Sequence, residues 1–245
     1  MRISLIIPMY NESAVIGDTA RKIHEYMSSS FGDYEVIFFD DGSRDGSAEI
    51  VESLKLPNIK VSGYGGNRGK GAAVRHAMLE ADGDAIMFTD ADLAYGTDVI
   101  GRIYDIFSSN PETQIVMGSR NIHKDGYEGY TFLRKLMSKA YIKVLCFMGG
   151  FKLSDSQCGC KAFSGEAAKD IFSRCEVDGF AFDFEAILWA RELGYKITEM
   201  PVKVINHGES KISVLKDTFR MLSDLRKIKK RVKLKAEKEK TKNQK

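Results

Sequence analysis

Apolar residues fall along the chain in two rhythms. Short β-rich runs at 2–7 (RISLII), 34–39 (YEVIFF), 59–62 and 85–89 (AIMFT) predict four strands. Between them, helical spacing predicts helices over 14–27, with residues 11–13 as N-cap candidates, over 47–54, and from the glycine-rich stretch 63–71 through Ala81. Strands alternating with helices imply a mostly parallel sheet covered on both faces, with its active site beyond the carboxyl ends of the strands. The second half is less regular. Strands are expected at 115–118, 160–163 and 197–204, and helices over 132–148 and 180–193.

Composition narrows the class. Of 245 residues, 43% are hydrophobic and 10% aromatic, enough for one sizeable core and too apolar for a wholly disordered chain. The net charge of +3 conceals an asymmetry. Residues 226–245 carry eleven Lys or Arg against Glu237 and Glu239, a net of +9, which leaves −6 on the remainder. The apolar run at 3–7 is too short for a signal peptide, and no window reaches the length of a membrane span, so a cytosolic or peripheral protein is expected. Cys158 and Cys160 lack zinc-knuckle or thioredoxin spacing, and Cys146 and Cys175 add no pattern, so reduced thiols are expected.

Three strand ends in the first half carry Pro8-Met9-Tyr10-Asn11-Glu12, Asp40-Asp41-Gly42 and Asp90-Ala91-Asp92. One such cluster is as readily turn chemistry as function. Three on one sheet edge gather carboxylates that repel one another unless something cationic lies among them. Asp90 and Asp92 are hard oxygen donors suited to Mg²⁺ or Mn²⁺, which would neutralise a diphosphate leaving group.

The succession IIPMYNE, DDGSRDGS, GNRGKGAAVRHA and TDADL resembles the nucleotide-sugar-binding half of family 2 inverting glycosyltransferases, whose fold is called GT-A. With GSR at 118–120, SDSQCGCKAF at 154–163, GFAFDFEAILWA at 179–190, EMPV, and HGESKIS at 207–213, the chain is similar to the polyprenyl-phosphate glycosyltransferases over about residues 3–215. These are the dolichyl-phosphate mannose synthases and the dolichyl-phosphate β-glucosyltransferases. QCG and FDFE resemble the second branch more, which leans the donor towards UDP-glucose over GDP-mannose. The mannose synthases place an arginine where this chain has Ile205, so a phosphate contact there would fall to Lys203 or His207.

The resemblance implies an α/β, GT-A-like single domain over 1–215, a mostly parallel mixed sheet sandwiched by helices. Its nucleotide-sugar half spans about 1–120 and its acceptor half about 121–215, and a basic amphipathic, partly disordered extension follows over 216–245. It implies that Pro8, Tyr10 and Glu12 wall the base and ribose, that Asp41 binds the base edge with Phe39 beside it, and that Gly69-Lys70-Gly71 approaches the nucleotide. Asp90, Ala91 and Asp92 then form the DXD motif that holds the Mg²⁺ or Mn²⁺ cofactor and the diphosphate, while Arg120 and Lys211 meet a phosphate. The reaction implied is displacement with inversion at the anomeric carbon of a hexose, glucose before mannose, onto a polyprenyl (dolichyl or undecaprenyl) phosphate. An anionic acceptor needs no strong base. A hydroxyl acceptor needs one, with Asp155 first by motif position, Asp183 or Glu185 next, and Gln157 as a further acceptor-side contact. A family 2 transferase acting on a hydroxyl in cell-surface polysaccharide synthesis is the alternative. A non-catalytic nucleotide-sugar-binding protein is the rival from another class, against which Asp90 and Asp92 argue.

Two segments point to an anionic membrane surface. Over 132–148, Leu133, Leu136, Met137, Ala140, Tyr141, Val144 and Met148 form an apolar stripe beside Lys135, Lys139 and Lys143. Leu215, Phe219, Leu222, Leu225, Ile228 and Val232 form another beside the basic run, where each Lys or Arg near an anionic leaflet contributes about 1 kcal/mol. Core packing and a solvated tail give the same two patterns. The expected partners are a nucleoside diphosphate sugar, a lipid phosphate and the cytoplasmic face of a membrane. An integral-membrane partner or a second copy of the chain is left open, and nucleic acid is not expected.

Overall fold

The computed structural model describes residues 1–206 and 214–243, and within these the side chains of all but 133, 134, 214–223 and 243. Its strands are β1 (Ile3–Met9), β2 (Tyr34–Asp40), β3 (Ile59–Gly63), β4 (Ala85–Phe88), β5 (Ile115–Ser119), β6 (Lys161–Ser164) and β7 (Ile197–Pro201). They form one sheet in the order β3-β2-β1-β4-β6-β5-β7. All pairings are parallel except those of β6, which runs antiparallel to β4 and β5. The first residue of β6, Lys161, therefore lies in register with Phe88 and Met117 near the carboxyl ends of β4 and β5.

Strand alternation sorts the core into two layers. Ile3, Leu5, Ile7, Val36, Phe38 and Met87 face α1 (Ile16–Ser30), α2 (Ser47–Ser53) and α4 (Asp98–Ser109). Ile6, Ile37, Ile86, Phe88, Met117 and Phe163 face α3 (Lys70–Glu80), α5 (Phe132–Gly149), α6 (Gly165–Phe172), α7 (Phe182–Leu193) and α8 (Val214–Asn243). This is the single α/β domain with a mixed sheet between helices that the sequence leads one to expect. Two helices, α4 and α6, were not expected. In α4, buried Val99, Ile100, Ile103 and Phe107 keep helical spacing, whereas α6 has only eight residues and little room for a pattern.

Residues 11–13 do not cap α1. Its N-cap is Val15, with no side-chain capping bond. The polar loop instead ties itself to the β2–α2 loop. The amides of Asn11, Glu12 and Ser13 donate to Ser43 Oγ, Ser47 Oγ and Asp45 Oδ2, each at 2.9 Å, and Asn11 Oδ1 accepts from the Arg44 amide. Satisfied backbone groups in both loops hold the carboxyl edge of β1 and β2 in shape.

The basic segment is the long helix α8. Leu225, Ile228, Val232 and Ala236 are buried in the core beside Trp189 and Leu188 of α7. Leu225, Ile228 and Val232, expected to meet lipid, therefore cover protein, and the described part of the extension expected to be partly disordered is helical from Val214 to Asn243. The side chains of Leu215, Phe219 and Leu222 lie outside the described residues. On α5, Ile142 and Leu145 face the core, while Leu136, Met137, Ala140 and Val144 are exposed together with Lys139 and Lys143. Tyr141 and Met148 of the expected stripe are half-buried and Lys135 is half-exposed. The most exposed apolar side chains of that face are Phe132 at 82% and Phe147 at 89%. Among the described residues, no helix is long and apolar enough to cross a membrane.

Candidate active site

The carboxyl ends of β1, β2, β4 and β5 meet the amino end of β6 along one edge, where a ligand crevice belongs in an open α/β sheet. At its centre β4 gives way to Asp90-Ala91-Asp92. The turn is pinned by the Leu93 amide on Asp90 O (3.0 Å), by the Ala94 amide on Asp92 Oδ1 (3.0 Å) and by Thr19 Oγ1 on Ala91 O (2.6 Å). Leu93 is held at φ 48°, a left-handed conformation that costs a branched side chain about 1 kcal/mol or more and persists only where its surroundings enforce it. An open cleft of about 450 Å³ adjoins Asp92, lined also by Ala14, Val15, Ile205 and Asn206.

Lys70, the first residue of α3, places its ammonium on Asp90 Oδ1. Burial alone would favour the neutral amine, but Asp90, Asp183 and Asp92 around it raise its pKa. Burial and the adjacent Asp90 carboxylate raise that of Asp92. The two carboxylates thus repel and are compensated on one side only. Among the described residues, no group of three or more His, Cys, Asp or Glu forms a protein-only metal cage. Two carboxylates with an open side are nevertheless what Mg²⁺ and Mn²⁺ take when substrate phosphates complete the shell. Gly159 fits the same arrangement: a Cβ there would stand 2.0 Å from Asp90 Oδ2, so the carboxylate rests directly on its backbone.

The remaining donor-side residues divide. Pro8 is half-buried at the end of β1, Tyr10 is exposed and Glu12 half-exposed, in the segment that follows the strand at this edge. Asp41 is different. It is buried, and its oxygens accept Asn67 Nδ2, the Arg68 amide and the Gly69 amide, each at 2.9 Å. Its carboxylate organises the glycine-rich loop, with three acceptor positions filled from within the protein. Phe39 is 3% exposed and packs against Tyr64 and His76, so it backs that loop and offers no face to a nucleoside. The glycines beside Lys70 serve protein packing too: a Cβ at Gly69, at φ 110°, would meet Asp178 O at 2.5 Å, and one at Gly71 would meet Val177 O at 2.4 Å. They let α3 dock against the 177–179 loop.

On the acceptor side, Arg120 follows β5. Its Nε and Nη2 donate to Asp155 Oδ2 (2.6 Å) and Oδ1 (3.0 Å), and the ring of Tyr127 lies 5.4 Å away. Asp155 is fully buried and also accepts the amides of Arg120 and Gln157. Glu199 holds the neighbouring Ser154 through its amide and hydroxyl. Asp155 therefore aims a guanidinium and presents no free lone pair, an arrangement that disfavours the role of base expected for it. Glu185 is engaged likewise. It is fully buried, accepting the amides of Glu176 (2.8 Å) and Val177 (2.7 Å) on one oxygen and Arg231 Nη2 (2.6 Å) on the other. It fastens α8 to α7 and its preceding loop. Asp183 pairs with Lys161 at 2.8 Å. Lys203 pairs with Glu128, Ile205 is exposed, and Lys211 and His207 lie outside the described residues. The four cysteines are free, and burial pushes the Cys158 thiol up to about 11, away from reactivity.

The pattern of glycosyl transferase family 2 matches residues 4–172 of this chain. The chain belongs to glycosyl transferase family 2. Among curated relatives of this glycosyltransferase, a dolichyl-phosphate beta-glucosyltransferase of Dictyostelium discoideum is 31% identical, the match covering 92% of this chain and 73% of the relative. A protein of the same description from Saccharomyces cerevisiae is 26% identical over 91% of this chain and 72% of its own length. Among solved structures, glucosyl-3-phosphoglycerate synthase of Mycobacterium tuberculosis, in complex with Mn²⁺, UDP-glucose and glycerol 3-phosphate, superposes with a TM-score of 0.64 at 19% identity, covering 91% of this chain and 76% of that one. Mannosyl-3-phosphoglycerate synthase of Rubrobacter xylanophilus gives 0.63 at 19% identity, covering 100% and 75%. The family 2 glycosyltransferase therefore has the GT-A architecture.

Lys161, Glu199 and Gly159 escaped the sequence reading as site residues. The first two are recognised only through partners distant in sequence. Gly159 lies inside a quoted motif, but a glycine in a turn carries no mark of what rests on it.

Proposed function

We propose that this glycosyltransferase moves glucose from UDP-glucose, with inversion, onto the phosphate of a polyprenyl phosphate. The observation that carries the acceptor assignment is the state of the three carboxylates that would serve as base. Asp155 is held by Arg120, Asp183 by Lys161 and Glu185 by Arg231. A carboxylate bound to a cation is a poor proton acceptor; at Asp183 burial outweighs Lys161 and Lys70 and raises the pKa, but Lys161 still occupies Oδ1. A phosphate acceptor brings its own anion, and Arg120, aimed by Asp155, is a guanidinium suited to receive it. The relatives named for dolichyl phosphate and glucose support the same reading, and mannose is the next donor in order.

Asp90 and Asp92 would hold a divalent cation, which would neutralise the diphosphate leaving group when bound. The chain's own part is positional: Pro8, Tyr10 and Glu12 border the nucleoside and Lys70 faces the phosphates, with Lys211, outside the described residues, as a second cation for a phosphate. Attack on the anomeric carbon opposite the diphosphate inverts its configuration and requires alignment more than proton transfer. The exposed face of α5, with Phe132, Phe147, Lys139 and Lys143, supports a peripheral position at the cytoplasmic face of a membrane.

Incubation with radiolabelled UDP-glucose or GDP-mannose, Mg²⁺ or Mn²⁺ and a polyprenyl phosphate tests the assignment. An organic-extractable glucosyl product is expected, and absence of product with every donor overturns the reading.

A further inference from the structure

Lys161 enters the chemistry above only as the partner of Asp183, and its surroundings are unusual for a lysine. Its side chain is 2% exposed, at the first position of the one antiparallel strand, between Phe88 and Met117 in register. Nζ donates to Cys158 O at 2.6 Å and to Asp183 Oδ1 at 2.8 Å, and the Phe88 ring lies 5.6 Å away. Desolvating an ammonium there is unfavourable unless its partners are well placed. Those partners belong to different parts of the crevice. Cys158 opens the turn whose next residue, Gly159, lies directly beneath Asp90, while Asp183 stands in the first turn of α7 on the acceptor side. The Gly159 amide reaches only Tyr95 Oη, at 3.4 Å, so the turn is held at its far end by the Gly118 amide on Cys160 O, at 2.9 Å, and at its start by the lysine on Cys158 O.

We propose that Lys161 is a positioning residue: it clamps the 158–160 turn to the start of α7, so that Gly159 fixes the Asp90 carboxylate in the orientation that binds cation and diphosphate. The inference rests on the proposed donor site. Lys161 touches neither substrate nor metal, and acts through Gly159 on Asp90 as outer-shell groups act on ligands in metal sites.

Lys161→Met alone strands Asp183 as a buried unpaired charge and can unfold the chain. The Lys161→Met/Asp183→Leu double variant removes both charges, a change that buried pairs often tolerate. Calorimetric titration of the full chain with UDP in the presence of Mn²⁺ should show about tenfold or greater weakening in the folded double variant, with affinity restored in Lys161→Arg. Wild-type affinity in the double variant overturns the proposal. Amide hydrogen exchange without ligand separates this from the donor assignment: exchange at Gly159 and Cys160 should rise in the double variant, and unchanged exchange there overturns the clamp. If the wild-type chain itself binds no UDP with Mn²⁺ while exchange at the turn rises in the double variant, the donor reading falls and the clamp stands.

Discussion

Replacing Arg231 with alanine tests whether α8 is part of the domain. Arg231 Nη2 donates to Glu185 Oε1 at 2.6 Å and its Nε lies 3.4 Å from Glu176 Oε2, while Glu185 is wholly buried. Removing one partner of a fully buried pair costs about 3–5 kcal/mol. Here two backbone amides remain on Glu185, and the Arg231 side chain is 35% exposed, so water reaches the gap. The expected loss falls to about 1–2 kcal/mol. For a chain of this size that lowers Tm by about 2–8 °C. Circular-dichroism melts of Arg231→Ala, Glu185→Gln and the double variant give the coupling, expected at about 1 kcal/mol. A Tm for Arg231→Ala within about 1 °C of wild type, with no coupling in the cycle, refutes the docking of α8 through Glu185.

Three further outcomes follow from named contacts. Gly159→Ala drives a Cβ into Asp90, and should weaken Mn²⁺-dependent UDP binding about tenfold; calorimetry on the folded variant showing unchanged affinity contradicts the close packing. Burial would raise the Glu35 pKa, but hydrogen bonds from Ser4 and the Asp82 amide and the charge of Lys60 bring it down to about 2. Because the folded pKa lies below the unfolded one, this stabilisation is complete above about pH 4.5 and is lost as pH falls towards 2, amounting to at most about 3 kcal/mol; Glu35→Gln should flatten that part of the acid-stability curve, and an unchanged slope in urea titrations counts against it. Phe132→Asp/Phe147→Asp should reduce sedimentation with anionic vesicles severalfold without changing Tm, and undiminished binding removes α5 from the membrane contact.

The sheet was legible because its strands are short apolar runs that end in Asp, Asn or Gly, and the DXD turn follows one of them directly. What those polar residues touch was not legible. Asp41 and Phe39 read as nucleoside contacts from their place in the motif, yet the carboxylate closes the 67–69 loop and the ring backs it. Asp155 and Arg120 were both singled out, but only the fold shows that they bind each other and so exchange a base for an oriented guanidinium. The apolar stripe of α8 left open both whether the extension is helical and what its face meets, since a face covered by α7 and one covered by lipid obey the same spacing. Helical periodicity is present at α4 as well, where Val99, Ile100, Ile103 and Phe107 mark one face.

The central claim is that the acceptor supplies its own nucleophilic anion. Parallel incubations with radiolabelled UDP-glucose and Mn²⁺, one with a polyprenyl phosphate and one with the polyprenol of the same length, test it most directly. Glucose should enter the organic phase only with the phosphate. Equal transfer to the alcohol, or transfer to an oligosaccharide hydroxyl in its place, would mean that one of the ion-paired carboxylates acts as a base and that the acceptor does not supply the anion.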